Sequence, residues 1–164
     1  MDTAMEIRTA VPEDLPAIIQ IESACFPAAE AASAASLSAR VAAYPDHFWV
    51  LLDGGAMVGF VNGMVTDELD LRDEMYEDVS QHDEGGAWQM IFGEATIPAY
   101  RRQGCAGRLL RHVVGAAKAQ GRRGVVLTCK EALVHYYAKF GFVDEGISRS
   151  THGDVVWRQM RVTF

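Results

Sequence analysis

Cysteine is scarce in this 164-residue chain. The three present, Cys25, Cys105 and Cys129, show neither a CxxC spacing nor an accompanying histidine cluster. That argues against a disulfide framework and against a metal site, and in favour of reduced thiols in the cytoplasm. No stretch approaches the ~20 apolar residues of a membrane span. The opening Met1-Asp2-Thr3-Ala4-Met5-Glu6 carries early acids where a signal peptide would be basic and then apolar. Internal repeats and linker-like segments are missing too, so residues 1–164 are expected to form one domain, as a monomer or homodimer. Neither a membrane nor a nucleic acid is expected as a partner. Acids are absent from Ala95 to Lys130, a stretch holding eight bases. Between Thr66 and Gly85 the imbalance reverses, with nine acids against Arg72 alone, inside a net charge of -7. A basic half fits an anionic ligand and an acidic segment a cationic one, although each taken alone reads equally as a solvated face.

Apolar residues, at 49%, suffice for a real core. Glu6–Thr9 reads as a strand, followed by a helix opening at Pro12-Glu13-Asp14 and closing before Phe26-Pro27. The Ala/Ser-rich stretch 28–43 reads as a weaker helix. Strands over 47–52 and 57–65 flank the hairpin signal Asp53-Gly54-Gly55. The acidic segment follows as a long loop or short helix. A strand over 87–97 then leads to an amphipathic helix over 106–120 with Leu109, Leu110, Val113, Val114 and Ala117 on one face. A buried strand at 125–129, a helix over 132–140 and two strands complete an α/β pattern around one mixed sheet of about seven strands flanked by about four helices.

The most informative stretch is Pro98-Ala99-Tyr100-Arg101-Arg102-Gln103-Gly104-Cys105-Ala106-Gly107, set between a strand and a helix. Gly104 and Gly107 let a ligand approach the backbone. The free N–H groups and dipole of the helix start favour anions, and Arg101 and Arg102 add charge. The spacing is neither a Walker loop nor a dinucleotide fingerprint. It matches the R/Q-x-x-G-x-G/A acetyl-CoA signature, and the chain resembles the GNAT acetyltransferase superfamily. Tyr136-Tyr137-Ala138-Lys139-Phe140-Gly141-Phe142 is similar to that family's helix ending. A narrower resemblance is to the arylalkylamine (serotonin) N-acetyltransferase branch, carried by Cys129-Lys130-Glu131-Ala132-Leu133-Val134-His135-Tyr136-Tyr137 and by Ile21-Glu22-x-x-Cys25-Phe26. The resemblance implies a splayed sheet, with acetyl-CoA as co-substrate. Its pantetheine arm would pair near Glu94, Ala95 and Thr96, and its phosphates would sit on Arg102, Gln103, Gly104, Cys105, Ala106 and Gly107 beside Arg101.

Acyl transfer to an amine needs a base for the amine and a donor for the departing thiolate. The resemblance places Tyr137 as the acid, with Tyr136 facing elsewhere. The serotonin branch's two histidines fall here on Met90 and Phe92, which carry no proton. Alternation puts Glu94 on the same strand face, as a substitute base or as a structural carboxylate. The alternative to Glu94 is His82 or an acid of the 66–85 loop relaying through water. His47, His112, His135 and His152 read as surface or packing residues, and Phe26, Phe92 and Trp88 as the lining of an amine site. The leading expectation is an N-acetyltransferase acting on a small primary amine, such as an arylalkylamine or polyamine, drawn in by the acidic segment. Kept beside it are a non-catalytic acyl-CoA-binding sensor and a protein or peptide N-acetyltransferase.

Overall fold

Gly54 and Gly55 turn the chain between β2 (Phe48–Asp53) and β3 (Ala56–Asn62), both at positive φ, 57° and 87°. The computed structural model describes residues 5–164. Residues 1–4, part of the opening read above as no signal peptide, lie outside the described residues. β1 (Met5–Thr9) pairs antiparallel with β2. Period-2 alternation sends Trp49 and Leu51 to one core, and Phe48, Val50 and Leu52 to another. The first core lies under α4 (Cys105–Ala119), whose Leu109, Leu110, Val113 and Ala117 are buried there. The second is covered by α1 (Leu15–Cys25) and α2 (Ala34–Ala43). Helix α2 begins later than its sequence predicts, because the Ser33 hydroxyl accepts the Ser36 N–H at 3.0 Å and caps it there.

The strand expected over 87–97 is divided at Phe92 into β5 (Trp88–Ile91) and β6 (Gly93–Thr96). One edge of this run is followed continuously. Thr66 and Val65, in the short β4 (Val65–Thr66), pair with Trp88 and Gln89. Met64 and Asn62 carbonyls accept the N–H groups of Met90 and Phe92 at 2.8 and 2.7 Å, and β3 then pairs with β6. The other edge is followed only in part. β7 (Gly124–Cys129) runs parallel to β5 as far as Ile91–Leu127 and then diverges. β9 (Arg158–Thr163) and β8 (Val143–Ile147) extend the sheet beyond β7. The single sheet of about seven strands thus becomes, among the described residues, nine strands in two sheets, ordered β1-β2-β3-β6 and β4-β5-β7-β9-β8. Five α-helices flank them, in keeping with the about four expected. The extra one is the single turn α3 (Glu74–Glu77) inside the acidic segment, and α5 (Val134–Ala138) is the last.

Gly63 stands where the two sheets meet, with its N–H on the His47 carbonyl at 3.2 Å. A Cβ there would lie 1.9 Å from the Met90 carbonyl oxygen. Since backbone cannot yield as a side chain does, Gly63→Ala should cost about 3 kcal/mol. A lower urea midpoint in equilibrium unfolding, with Gly54→Ala as the milder comparison, checks this.

Candidate functional site

Where β7 turns away, β6 is left as an edge strand and a cleft of about 790 Å³ opens. Glu94, Ala95 and Thr96 line one wall, and Thr128, Cys129 and Lys130 the other. Arg101, Arg102, Gly104, Cys105 and Ala106 reach the same cleft, as does Tyr137 from α5; Tyr136, expected to face elsewhere, lines it too. Two residues of the predicted turn do not. The Gln103 amide nitrogen bonds the Ala99 carbonyl at 3.0 Å. A Cβ on Gly107 would stand 3.2 Å from the Phe140 ring, so that glycine lets α4 pack on Phe140.

Gly104 is the N-cap of α4 at φ 82°, and no side chain caps the helix. The first-turn N–H groups are therefore left to solvent or a ligand, with the positive end of the dipole behind them. Arg102 holds a left-handed φ of 63°, and Arg101 Nε donates to the Thr96 carbonyl at 3.1 Å. The acid-free stretch is otherwise absorbed locally. Arg111 lies over Phe140, Lys118 over Phe164, and Arg123 over Trp88, while Arg122 pairs with Glu84.

Burial pushes the Glu94 carboxyl up to about 7, with the Thr96 hydroxyl donating to its Oε2 at 2.8 Å and Arg101 opposing the rise. A carboxyl balanced near neutrality can exchange a proton with a substrate. Tyr137 is held edge-on by Tyr136 at 5.3 Å and Phe142 at 6.2 Å. Burial, reinforced by Glu94 and Cys129, raises its phenol above the ordinary value, so it stays protonated. Its hydroxyl has no hydrogen-bond partner among the described residues. Met90 is fully buried in a third core with Tyr44 and Met75, and Phe92 lines the cleft, so no histidine takes the position of a base there.

The acidic segment does not face the cleft. Of its nine acids only Glu77 lines it. Glu68 and Glu74 pair with Arg72, and Asp70 pairs with Arg161. Asp73 accepts from Ser150 and Thr151, and Asp67 from the Ala87 N–H. Trp88 is likewise not part of an amine site, since it is buried with Arg161 at 4.4 Å over its ring. The cleft gains residues that the sequence did not single out. Arg40 is one, the single Lys or Arg between Arg8 and Arg72, and His152, read above as a surface or packing residue, also lines the cleft and stacks on Tyr76 at 5.3 Å. That isolation within an apolar helix was the signal available for Arg40.

His47, His82 and Glu84 bring their ligand atoms within 4.8 Å of one another, away from the cleft lining. The Gln89 amide donates to the Gly63 and Met90 carbonyls, so its oxygen takes the Nδ1–H of His47 at 2.9 Å. His82 Nδ1 accepts the Val65 N–H, which puts its proton on Nε2, directed at Glu84 at 2.9 Å. His47 Nε2 also faces Glu84 at 2.9 Å, and Arg122 reaches that carboxylate at 3.1 Å. All three cysteines line the cleft. Burial raises Cys129 to about 11 and Cys105 above its usual value, and Cys25 donates to the Thr96 carbonyl at 3.5 Å.

The profile of the acetyltransferase (GNAT) family matches residues 15–142. Serotonin N-acetyltransferase of Mesocricetus auratus is 28% identical over 173 residues, covering 98% of this chain and 78% of the relative. Among solved structures, the GphF GNAT-like decarboxylase in complex with isobutyryl-CoA superposes with TM-score 0.83 at 26% identity, covering 96% of this chain and 98% of that one. The yncA acetyltransferase from Salmonella typhimurium, with its cofactor acetyl-CoA, shares the fold at TM-score 0.70 and 18% identity, covering 98% and 94%.

The raised Glu94 carboxyl has a stability consequence. Folded, it titrates at about 7, against an ordinary value of 4.5. Between those pH values the native state keeps a proton that the unfolded chain releases, so stability falls as pH rises. Glu94→Gln should therefore unfold like the wild type at pH 4.5 and at a higher temperature than the wild type at pH 8. Thermal melts at the two pH values read the crossing.

Proposed function

We propose, from the premise that the chain belongs to the acetyltransferase (GNAT) family and is an acyltransferase, that it transfers the acetyl group of acetyl-CoA to the primary amine of a small molecule. The observation that carries this reading is one cleft holding an uncapped helix start, a strand edge, a near-neutral carboxyl and an unpaired phenol. The helix start at Gly104–Ala106, with Arg101 and Arg102, suits a pyrophosphate. The bare edge of β6 at Ala95 and Thr96 suits the amides of a pantetheine arm.

Glu94 then takes a proton from the amine as it attacks the thioester carbonyl. Tyr137 donates a hydrogen bond to the departing sulfur. Its raised phenol makes complete transfer to a thiolate of ordinary acidity (about 8.5) uphill, so its work is to stabilise charge while the C–S bond breaks. The proton that quenches the thiolate then comes from solvent or by way of Glu94. The acceptor's body would lie among Phe26, Tyr76, Phe92 and Trp157, which suits an aromatic or aliphatic amine. A polyamine would call for acids facing the cleft, and Glu22, Glu30, Glu77 and Glu94 line it, with Glu30 paired to Lys130. Among the described residues no helix is long and apolar enough to cross a membrane. We place the reaction in the cytoplasm, where three free thiols persist reduced. The non-catalytic sensor reading is set aside.

Thiol release from acetyl-CoA across a panel of small amines, against a panel of peptides, tests the acceptor class. Tyr137→Phe keeps the ring and should lower kcat by ~10²–10³ with coenzyme affinity unchanged. The wild-type rate should rise through about pH 7 as Glu94 ionises, and Glu94→Gln should lose that inflection along with roughly tenfold in rate. A Tyr137→Phe enzyme at wild-type kcat would remove the phenol from the mechanism.

A further inference from the structure

Helix α2 buries Leu37, Arg40 and Val41 on one face, so a guanidinium occupies a core position. Arg40 is 3% exposed. It lines the cleft with Asn62, Tyr76, Glu77 and Phe92. Its Nη1 donates to Asn62 Oδ1 at 3.1 Å and its Nη2 to the Tyr76 carbonyl at 2.8 Å, while Nε is sealed from solvent without a partner. Two of five N–H groups are thus engaged, both by neutral oxygens. The Phe92 ring lies 5.0 Å from the guanidinium carbon and the Tyr76 ring 6.0 Å.

No carboxylate within 4.0 Å pairs with this cation among the described residues. Glu22 and Glu77 act on it only at longer range. Glu22 is itself buried and accepts the Ala32 N–H at 2.8 Å, and burial biases its carboxyl toward the neutral form. A buried charge without a counterion is among the most costly arrangements a protein holds. A clasp between α2 and the acidic segment would be served as well by a neutral donor. What an arginine adds is a planar fork matched to two carboxylate oxygens, here kept flat by aromatic faces.

We propose that Arg40 is the carboxylate-recognising residue of the cleft, and that the substrate bound beside the thioester carries a carboxylate. The inference rests on the acyl-transfer reading and narrows its substrate class. The carboxylate has two chemical sources. It belongs to the acceptor if the amine is an amino acid, and to the donor if the acyl group is that of a dicarboxylic acid.

Calorimetry on the protein separates them. In the acceptor arm, N-acetyltryptophan and N-acetyltryptamine are titrated into the protein with coenzyme A present. In the donor arm, malonyl-CoA is compared with acetyl-CoA. A preference of roughly tenfold or more for the carboxylate-bearing member in either arm supports the proposal and names the source. Arg40→Gln should erase that preference by weakening only the carboxylate ligand, and Arg40→Lys should keep part of it. Equal or weaker binding of the carboxylate member in both arms of the unaltered protein overturns the proposal, whether or not the variant folds. So does an Arg40→Gln protein that weakens both members alike, the mark of a purely structural clasp. Thiol release is measured separately. Its absence with every amine would sink the acyl-transfer reading while the binding arms still decide the role of Arg40.

Discussion

A buried strand must satisfy its backbone on both edges, and residues 88–96 do so only along half their length. One edge is paired throughout, by β4, the Asn62–Met64 bridge and β3. The other is paired by β7 only as far as Ile91. From Gly93 onward the backbone of β6 faces a gap, and everything chemically interesting collects around it. The turn at Gly104 follows directly from that strand, so the start of α4 points into the same gap. β7 ends at its far wall, so α5 delivers Tyr137 there. The divergence of two strands thus brings together residues as far apart in the chain as Phe26 and Trp157. Gly63, packed against the Met90 carbonyl, lets the seam close tightly on the paired side while the other side opens.

What could be read from the sequence was local chemistry. The turn from Arg101 to Ala106 declares itself because glycine, arginine and a helix start are contiguous. Tyr137 declares itself by its place before Phe140-Gly141-Phe142. Glu94 could be named, although its near-neutral carboxyl follows from burial that no spacing reveals. Less legible was anything depending on what a charge meets across the fold. The nine acids between Thr66 and Gly85 look like a cation trap in one dimension. In three, most are engaged by Arg72, Arg161, Arg122 and backbone N–H groups. Trp88 fits an aromatic lining by composition, yet its strand turns it into the core, against Arg161. Alternation carried the strand pattern through 87–97, but cannot foresee where a neighbouring strand will leave.

Glu94 and Arg40 are both ionisable groups in places where ionisation is penalised. Each departs from the consistency between local burial and polarity that the rest of the core keeps, and such departures concentrate where a protein does work. Their supports differ. Glu94 is steadied by the Thr96 hydroxyl and by the nearby charge of Arg101. Arg40 rests on two neutral oxygens and two aromatic faces, with Glu22 and Glu77 acting on its charge only from a distance.

The cleft also holds three thiols, and in a site for thioesters that raises a question of self-reaction. Thioester exchange proceeds through a thiolate, so a cysteine of ordinary acidity beside an activated acyl group would compete with the intended acceptor and leave the protein acylated. Cys129, raised to about 11 by burial, stays largely in the thiol form at neutral pH. Cys105 is shifted in the same direction by burial. The apolar walls that shape the cavity therefore also hold Cys105 and Cys129 toward the thiol form, which favours the acceptor in the competition for the acyl group.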